Sequence, residues 1–401
     1  MKLGELIEIK HGYAFSGEHI VEDDNGIVLV TPGNFRIGGG FKEEKCKFFD
    51  GEIPADYILK EGDFIVTMTD LSKTIDTLGY SALVPKSKRT YLHNQRIGLV
   101  TFKSDECDRG YIYWLMRTRE YQRFIANTST GATVHHTSPK KIYDYDLEVP
   151  PLPIQHRIAT ILSRYDSLIE NYQKQIKLLE ETAQRLYKEW FVDLHFPGHE
   201  NTNIIDGVPE GWEKKKVGEI GTVITGKTPS TSNKENYGGS IPFITIPDMH
   251  TGIYPVSSVF LSEKGAESQS KKYIPQGALI VSCIGTAGLV CITKERCQTN
   301  QQINSLILDD KEMLHYMYFV FLSLKEHLNN IGSNGATMTN VNKSKFEGID
   351  IVVPSSCIIR DFSQRTTPYF ENIKSLQSQL RLLTEARDRL LPKLMSGEIT
   401  I

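Results

Sequence analysis

The chain lacks long apolar runs and paired cysteines. No stretch approaches the ~18 consecutive apolar residues that a membrane-spanning helix needs, so we expect no membrane contact. The opening segment MKLGELIEIKHGY lacks the basic, apolar and small-residue sections of a secretory signal, which predicts a cytoplasmic protein. The six cysteines form no CxxC pair and fit neither a zinc site nor a disulfide framework, so we expect them to be reduced.

A surplus of basic residues is also lacking. The 46 Lys and Arg residues are outnumbered by 49 Asp and Glu residues, and the formal net charge is -3. A chain that binds nucleic acid by bulk electrostatics usually has a basic surplus, so this balance argues against such binding. Reading bases requires only a few well-placed polar groups, however, and partner subunits could supply most phosphate contacts.

Signatures of catalysis are missing as well. The sequence contains no Asp/Asn/Ser-Pro-Pro-Tyr/Phe tetrapeptide of an amino-methyltransferase, no acidic pair followed by lysine of a nuclease, and no His cluster with metal-ligand spacing. The adjacent His135 and His136 would point to opposite faces of a strand, so we interpret them as polar loop residues. We therefore expect no catalytic residue in this chain.

The chain repeats itself, which agrees with the two or three domains that 401 residues suggest. The segment Lys2 to Gly12, KLGELIEIKHG, parallels Lys216 to Gly226, KVGEIGTVITG, at an offset of 214. From Gly131 onward the offset is 204, since GAT recurs at Gly335. Other matches pair IVLVT at Ile27 with IPFIT at Ile241, YILKEGDFIV at Tyr57 with YIPQGALIV at Tyr273, and HNQRI at His93 with TNQQI at Thr299. Each repeat is predicted to contain short strands, turn-rich loops and one short helix, followed by a long helix.

The long segments carry the coiled-coil pattern of apolar residues at alternating three- and four-residue steps. Some 38 helical residues span roughly 57 Å, so two such helices could bury one another along their length. The first pattern consists of Ile154, Ile158, Leu162, Tyr165, Ile169, Tyr172, Ile176, Leu179, Ala183, Leu186 and Trp190. The second consists of Ile358, Phe362, Thr366, Tyr369, Ile373, Leu376, Leu380, Leu383, Arg387, Leu390 and Leu394, with two polar interruptions. An isolated amphipathic helix on each domain is the alternative interpretation.

These features predict an α+β fold with two repeated mixed α/β domains separated by two long antiparallel coiled-coil helices. The predicted boundaries are a first domain at 1–150, a central spacer helix at 151–196, a second domain at 197–354 and a distal spacer helix at 355–401. Such an arrangement mimics a symmetric dimer, and dimeric DNA readers bind half-sites about 34 Å apart. Because the repeats differ at most loop positions, we expect a bipartite and non-palindromic DNA target.

One pattern, Gly221 to Thr228, satisfies the phosphate-loop motif GxxxxGKT. A phosphate loop follows a buried strand and opens a helix, whereas KKKVGEI precedes this pattern and Pro229 disfavours helical backbone at Thr228. The matching stretch Ile7 to Tyr13 retains neither the first glycine nor the lysine. We therefore predict a strand, a turn and a loop here, and no nucleotide site.

Polar residues beside predicted strands remain as candidates for contacts with base edges or phosphates. Arginine pairs with guanine, and Asn or Gln pairs with adenine, through two hydrogen bonds. Ordinary surface polarity and the capping of turns by Asn and Gln are the alternative interpretation. The candidate DNA-binding residues are Arg36, Lys73, Asn94, Gln95 and Arg96 in the first repeat, and Lys227, Asn300, Gln301, Gln302, Asn340 and Lys343 in the second.

The junction between the first domain and its helix resembles that of the specificity subunit of type I restriction-modification systems. The run GATVHHTSPKKIYDYDLEVPPLPIQHRIATILSRYDSLIE contains a GAT turn, a Pro-Pro-Leu box with Gln, and a helix that begins Ile-Ala-x-Ile-Leu. GKTPS at Gly226 and the terminal RDRLLPKLMSGEI also resemble segments of this family. The matching residues are Gly131, Ala132, Thr133, Pro150, Pro151, Leu152, Gln155, Ile158, Ala159, Ile161 and Leu162.

The resemblance implies a non-catalytic subunit with two target-recognition domains that read double-stranded DNA. It also implies two methylation subunits on the helical regions, which together form an adenine methyltransferase, and restriction subunits that add ATP-dependent cleavage. S-adenosylmethionine, ATP and Mg would then belong to the partners, and this chain would bind no cofactor and no small-molecule substrate. The second repeat departs from the family, because VPSSCIIRDF replaces the Pro-Leu box, and its docking to a partner could differ.

Two other classes of protein stay open. A coiled-coil scaffold with two adhesion modules would suit the near-neutral charge. A stand-alone nucleotide-binding enzyme would be active as a purified chain without partners.

Overall fold

The computed structural model describes residues 1–44, 46–72, 74–103, 105–333 and 340–401, with the backbone alone at residue 333. The chain divides into two compact units. Unit 1 consists of Met1–Ile169 with Leu383–Ile401, and unit 2 consists of Glu170–Leu382. Lys73 and the second GAT segment at Gly335 lie outside the described residues. Among the residues described, no helix is both long and apolar enough to cross a bilayer.

Unit 1 is built on two sheets. One is antiparallel with the order β1-β10-β6-β8, and the other has the order β2-β4-β3-β9-β5, in which β3 and β9 run parallel. Its strands are β1 (Ile7–His11), β2 (Ile20–Val21), β3 (Ile27–Val30), β4 (Lys47–Phe49), β5 (Ile58–Leu59), β6 (Phe64–Thr67), β7 (Thr69–Asp70), β8 (Ser81–Leu83), β9 (Thr90–His93), β10 (Ile97–Phe102) and β11 (His135–His136). Its helices are α1 (Arg109–Leu115), α2 (Arg119–Thr128), α3 (Pro139–Tyr143) and the first part of α4 (Leu152–Tyr187).

Unit 2 contains the same two kinds of sheet. One has the order β15-β21-β18-β19, and the other has the order β17-β16-β20 with β16 and β20 parallel. Its strands are β12 (Ile204–Ile205), β13 (Val208–Pro209), β14 (Glu213–Lys216), β15 (Gly221–Thr225), β16 (Tyr237–Ile244), β17 (Val259–Leu261), β18 (Leu279–Ser282), β19 (Val290–Ile292), β20 (Gln298–Thr299), β21 (Ile303–Leu308) and β22 (Asp350–Val353). Its helices are α5 (Glu263–Glu267), α6 (Leu314–Ser323), α7 (Lys325–Ser333), α8 (Lys343–Glu347) and most of α9 (Ser356–Met395).

The internal repeat is confirmed by matching strands in the two units. The order β1-β10-β6-β8 in unit 1 matches β15-β21-β18-β19 in unit 2. The parallel pair β3 and β9 matches β16 and β20. An isolated bridge joins Lys2 to Asp146, and the corresponding Lys216 and Asp350 pair in the β14–β22 ladder. The α+β fold with two similar mixed domains is therefore as predicted.

The prediction of one short helix in each repeat is wrong, because two helices stand there. In the first repeat α1 ends at Leu115, and Thr118 caps a new helix by accepting a hydrogen bond from Tyr121 N at 3.2 Å. Threonine at this position satisfies a backbone donor of the next helix, which favours a new start over continuation. In the second repeat α6 ends at Ser323 and α7 follows at Lys325.

Two long helices follow the repeats, as the coiled-coil pattern predicts. Helix α4 has 36 residues and continues into a π-helical turn at Lys188–Val192, and α9 has 40 residues. In unit 1, the beginning of α4 and the end of α9 share one core, which contains Ile158, Leu162, Leu391 and Leu394. In unit 2, the end of α4 and the beginning of α9 share another, which contains Ile176, Ala183, Phe370 and Ile373. In each unit, segments of both long helices therefore pack into the same core.

The first polar interruption of the α9 pattern, Thr366, has a buried partner in unit 2. Its hydroxyl donates to Phe362 O at 2.8 Å and lies 3.0 Å from Nδ1 of His315. The His315 ring stacks on Phe370, with 4.0 Å between the ring centroids. Burial lowers the pKa of His315 to about 4. The histidine is therefore held neutral inside an aromatic core.

The second polar interruption, Arg387, belongs to an ion triad in unit 1. Asp166 on α4 accepts from Arg387 Nη1 at 2.6 Å and from Arg117 Nη1 at 2.5 Å. The Arg117 side chain is only 3 % exposed, and its guanidinium carbon lies 4.2 Å from the centroid of the Trp114 ring. Asp166 thus joins α4, α9 and the end of α1 in one polar contact. The equivalent positions in unit 2 are apolar, since Ala183 replaces Arg387 and Phe370 replaces Asp166.

The cysteines are unpaired, as expected. Burial raises the pKa of the Cys283, Cys291 and Cys297 thiols to about 12. These three thiols therefore stay protonated at neutral pH and fill the core of unit 2.

The ion triad should contribute measurably to stability. Asp166→Asn leaves two guanidinium groups without their shared carboxylate, and we expect a loss of about 2 to 4 kcal/mol in the free energy of unfolding. Urea denaturation of the full chain measures this loss. The matched control is Asp361→Asn on α9, which breaks an exposed pair with Arg365 and should cost less than about 1 kcal/mol. Equal losses in the two variants would contradict the assigned role of the triad.

Stability should also depend on His315 between pH 6.5 and 4. The folded pKa lies below the ordinary value of 6.5, so protonation favours the unfolded chain. The contribution is complete above pH 6.5 and is lost as the pH falls towards 4, by up to about 3 kcal/mol. Urea denaturation at several pH values measures the slope. His315→Gln should flatten the slope in this window, and an unchanged slope would refute the assignment.

Candidate nucleic-acid interface

A tight turn joins β9 to β10 in unit 1, and we name Asn94–Ile97 turn 1. Ile97 N donates to Asn94 O at 2.9 Å, and the Asn94 side chain accepts from Arg96 N at 3.1 Å. Asn94 is half-buried, whereas Gln95 and Arg96 are exposed. Asn94 therefore builds the turn, as Asn side chains commonly do, and the next two side chains are available to a ligand.

Turn 2, Asn300–Ile303, joins β20 to β21 in unit 2 and has the same construction. Ile303 N donates to Asn300 O at 3.2 Å, and the Asn300 side chain accepts from Gln302 N at 3.1 Å. Asn300 is buried, Gln301 is exposed, and Gln302 is half-buried. The side-chain Oε1 of Gln301 accepts a hydrogen bond from the Thr228 hydroxyl. Asn300 is thus a structural residue of the turn. The candidates for ligand contact in turn 2 are Gln301 and Gln302.

A glycine packs directly against each turn. A Cβ atom on Gly12 would lie 2.1 Å from Asn94 O, and one on Gly226 would lie 2.1 Å from Asn300 O. The residue after each glycine is tied to the strand before the turn, since Tyr13 N donates to His93 O at 2.8 Å and Lys227 N donates to Thr299 O at 3.0 Å. Tyr13 and Lys227, both exposed, therefore lie beside turns 1 and 2.

A third segment lies on the other side of each turn. In unit 1, Arg96 O accepts from Met68 N at 2.9 Å, and the next residue, Thr69, pairs with His136. In unit 2, Gln302 O accepts from Cys283 N at 2.8 Å, and the next residue, Ile284, bridges to Asn340. His136 and Asn340 are exposed, so each unit adds one more polar side chain next to its turn.

A buried carboxylate orders the backbone beside turn 1. Asp70 accepts from Ser72 N and Thr77 N at 2.6 Å each, and from the Thr77 hydroxyl at 2.7 Å. Burial alone would raise the pKa of Asp70, but these hydrogen bonds outweigh it and hold the pKa below its ordinary value. The charged Asp70 is thus satisfied internally and its charge does not face a ligand.

The structure brings together most of the candidate residues, but not all of them. Asn94, Gln95 and Arg96 lie in turn 1, and Asn300, Gln301 and Gln302 lie in turn 2. Lys227 and Asn340 lie beside turn 2. Lys343 lies three residues after Asn340, at the start of α8, where its Nζ is 3.4 Å from the Glu347 carboxylate.

Arg36 lies elsewhere in unit 1. Its Nε donates to Phe41 O at 3.1 Å, and its loop is held by Arg117 Nε, which donates to Gly38 O at 2.9 Å. No described contact joins Arg36 to turn 1. Lys73 lies outside the described residues.

Sequence reasoning missed two residues of this surface, Tyr13 and His136. The signal was present, because the offset of 214 pairs Tyr13 with Lys227 and the offset of 204 pairs His136 with Asn340. The sequence interpretation of His136 as a polar loop residue rests on its adjacency to His135, because neighbouring strand residues point to opposite faces. Reading the two repeats against each other, position by position, would have found both.

The phosphate-loop pattern is a strand and a loop, as predicted. Gly221–Thr225 forms β15, and Gly226 lies under turn 2. The element that follows is a short 3-10 turn at Lys234–Asn236, not an α-helix opening at Lys227. The pattern therefore lacks the helix N-terminus that binds phosphate in such loops.

The surface around turn 1 offers a side-chain amide, a guanidinium and an imidazole, and the surface around turn 2 offers side-chain amides and an ammonium group. Such groups match the hydrogen-bonding edges of bases and the oxygens of phosphates.

Comparison with known proteins places the chain in a family. Residues 1–181 and 209–364 match the family described as type I restriction modification DNA specificity domain. The matches cover most of the chain in two copies, so the chain belongs to this family.

The relatives are specificity subunits. The chain is 34 % identical over 347 residues to the type I restriction enzyme HindI specificity subunit of Haemophilus influenzae, covering 70 % of this chain and 75 % of that one. It is 29 % identical over 298 residues to the MjaIX specificity subunit of Methanocaldococcus jannaschii, covering 73 % and 69 %. The prediction of a specificity subunit rather than an enzyme is confirmed.

The fold matches a solved structure from the same family. The crystal structure of the type I restriction-modification S subunit from M. genitalium aligns with a TM-score of 0.64 at 16 % identity. The alignment covers 98 % of this chain and 95 % of that one. At this identity the likeness concerns the fold, and it agrees with the two repeats and the long helix α4.

The close packing of Gly12 against turn 1 leads to a testable prediction. Gly12→Ala places a methyl group against Asn94 O, so turn 1 must shift, and we expect a loss of about 1 to 3 kcal/mol in the free energy of unfolding. Gly17→Ala is the matched control, because a Cβ atom there meets nothing within 4 Å. Thermal denaturation compares the two variants. Equal melting temperatures would show that the backbone contact does not fix the turn.

Proposed function

We propose that this chain reads a bipartite, asymmetric DNA sequence, with each repeat contacting one half of the target. The observation that carries the proposal is the occurrence of the same turn in both units with a different side chain at its third position, Arg96 in turn 1 and Gln302 in turn 2. Turn 1 presents Gln95 and Arg96, and turn 2 presents Gln301 and Gln302. Identical construction suits the same kind of ligand, and different side chains suit different base sequences.

The division of contacts follows from the chemistry of the side chains. Gln and Arg form paired hydrogen bonds with base edges in the major groove. Lys227 and Lys343 are suited to phosphate oxygens, which position a protein on the duplex without reading its sequence. The net charge of -3 implies that partner subunits supply further phosphate contacts.

The proposal includes partner subunits. Two methylation subunits would dock on the helical regions, and restriction subunits would join them. Exposed apolar side chains on the long helices support docking there, since Leu168, Leu178 and Leu382 are 43 %, 62 % and 55 % exposed. S-adenosylmethionine, ATP and Mg would bind to those partners, and the complex would work in the cytoplasm, where its DNA target lies.

Single substitutions in the two turns test the proposal. Arg96→Ala should relax one position in one half of the target, and Gln301→Ala should relax one position in the other half. Each lost base contact should weaken binding of the preferred sequence by roughly 5- to 100-fold. The measurement is selection from a random duplex pool by the full chain co-purified with its methylation subunit.

The matched control is Lys88→Ala, an exposed residue outside both turns, which should leave the selected sequence unchanged. Selection of one uninterrupted sequence, or changes in both halves from a single substitution, would refute the division of labour between the repeats.

A further inference from the structure

We infer that unit 1 reads a guanine and unit 2 reads an adenine at equivalent positions of the two half-sites, and that His136 and Asn340 are specificity-determining residues. This inference rests on the proposed function, because it assigns base classes to a surface that contacts DNA. It extends that function to two residues outside the turns.

His136 and Asn340 occupy equivalent positions in the two repeats. Each is connected to its turn through a backbone hydrogen bond and a β-bridge to the next residue. Met68 N binds Arg96 O and Thr69 pairs with His136, whereas Cys283 N binds Gln302 O and Ile284 bridges to Asn340. The following residues also match, since Thr137 N donates to Met68 O at 3.0 Å and Val341 N donates to Cys283 O at 2.9 Å.

In unit 1 this position presents hydrogen-bond donors. The His136 Nδ1 atom lies 3.1 Å from the Thr69 hydroxyl. When that hydroxyl donates to Nδ1, the proton of the ring is on Nε2, which becomes a donor. The neighbouring Arg96 guanidinium has donors only and makes no ion pair among the described residues. Guanine offers two acceptors, N7 and O6, in the major groove, so this pair of side chains favours guanine.

In unit 2 the same position presents amides. Asn340 is exposed, and its side chain makes no hydrogen bond among the described residues. Both ends of the Gln302 amide are engaged within the unit, because Oε1 accepts from Asn300 Nδ2 at 3.1 Å and Nε2 donates to Ile284 O at 3.5 Å; Asn340 is therefore the freer amide at this position. An amide has both a donor and an acceptor, which matches N7 and the N6 amino group of adenine. Ile284 replaces Thr69 and has no hydroxyl that could bind the Asn340 amide. This unit therefore favours adenine.

Reciprocal exchange of the two residues is the test. His136→Asn should shift one position of one half-site from guanine towards adenine, and Asn340→His should shift one position of the other half-site from adenine towards guanine. The expected change in relative base frequency is roughly tenfold. The readout is selection from a random duplex pool by the full chain with its methylation subunit, followed by sequencing.

The matched control is His135→Asn. His135 neighbours His136 on β11 and points to the opposite face, with its Nδ1 3.5 Å from the Ser129 hydroxyl. This variant should select the parental sequence. Because His136 and Asn340 are exposed, the exchanged variants should fold, and His136→Ala provides a second test by relaxing the same guanine position.

The outcomes separate the inference from the function on which it rests. A bipartite parental sequence that stays unchanged in both exchanged variants overturns the inference and leaves the proposed function standing. A parental complex that selects no sequence overturns both. Shifts confined to one position in each half-site, in the stated directions, support both.

Discussion

Both units depend on the packing of α4 with α9. Each helix buries side chains in two cores, since Ile158 of α4 lies in the core of unit 1 and Ile176 lies in the core of unit 2. Residues near the end of α9, such as Leu394, lie in the same core of unit 1 as Leu3. The sheets that carry turns 1 and 2 therefore rest on cores to which both long helices contribute. Burial of this apolar surface is the dominant favourable term in folding such units.

The two repeats keep the same framework and change what it presents. In both repeats a glycine packs under the turn, because a Cβ atom there would collide with the turn carbonyl. In both repeats an asparagine side chain closes the turn by accepting a backbone hydrogen bond. The side chains around that framework differ, with Arg96 against Gln302 and His136 against Asn340. A rigid framework with exchangeable surface residues is the arrangement that lets one fold read different sequences, since function depends on the site and not on the fold.

The sequence predicted the parts of the structure that repeat along the chain. Coiled-coil spacing located α4 and α9, and the repeat offset, which varies from 204 to 216, located the matching sheets. It could not predict why α9 contains Arg387, because its partner Asp166 lies 221 residues away. The break between α1 and α2 was not predicted because it depends on one local helix cap, at Thr118. The place of His136 beside turn 1 was not predicted because it follows from pairing with Thr69. That contact joins segments far apart in the chain and leaves no local pattern in the sequence.

The central claim is that turns 1 and 2 are equivalent surfaces that contact DNA. Photocrosslinking tests it most directly, with the full chain and its methylation subunit bound to a selected duplex that carries 5-iodouracil at successive positions. The account predicts crosslinked peptides from both turns, covering Asn94–Ile97 and Asn300–Ile303, each from a different half of the duplex. Crosslinks confined to other segments, or to one turn from both halves, would contradict it.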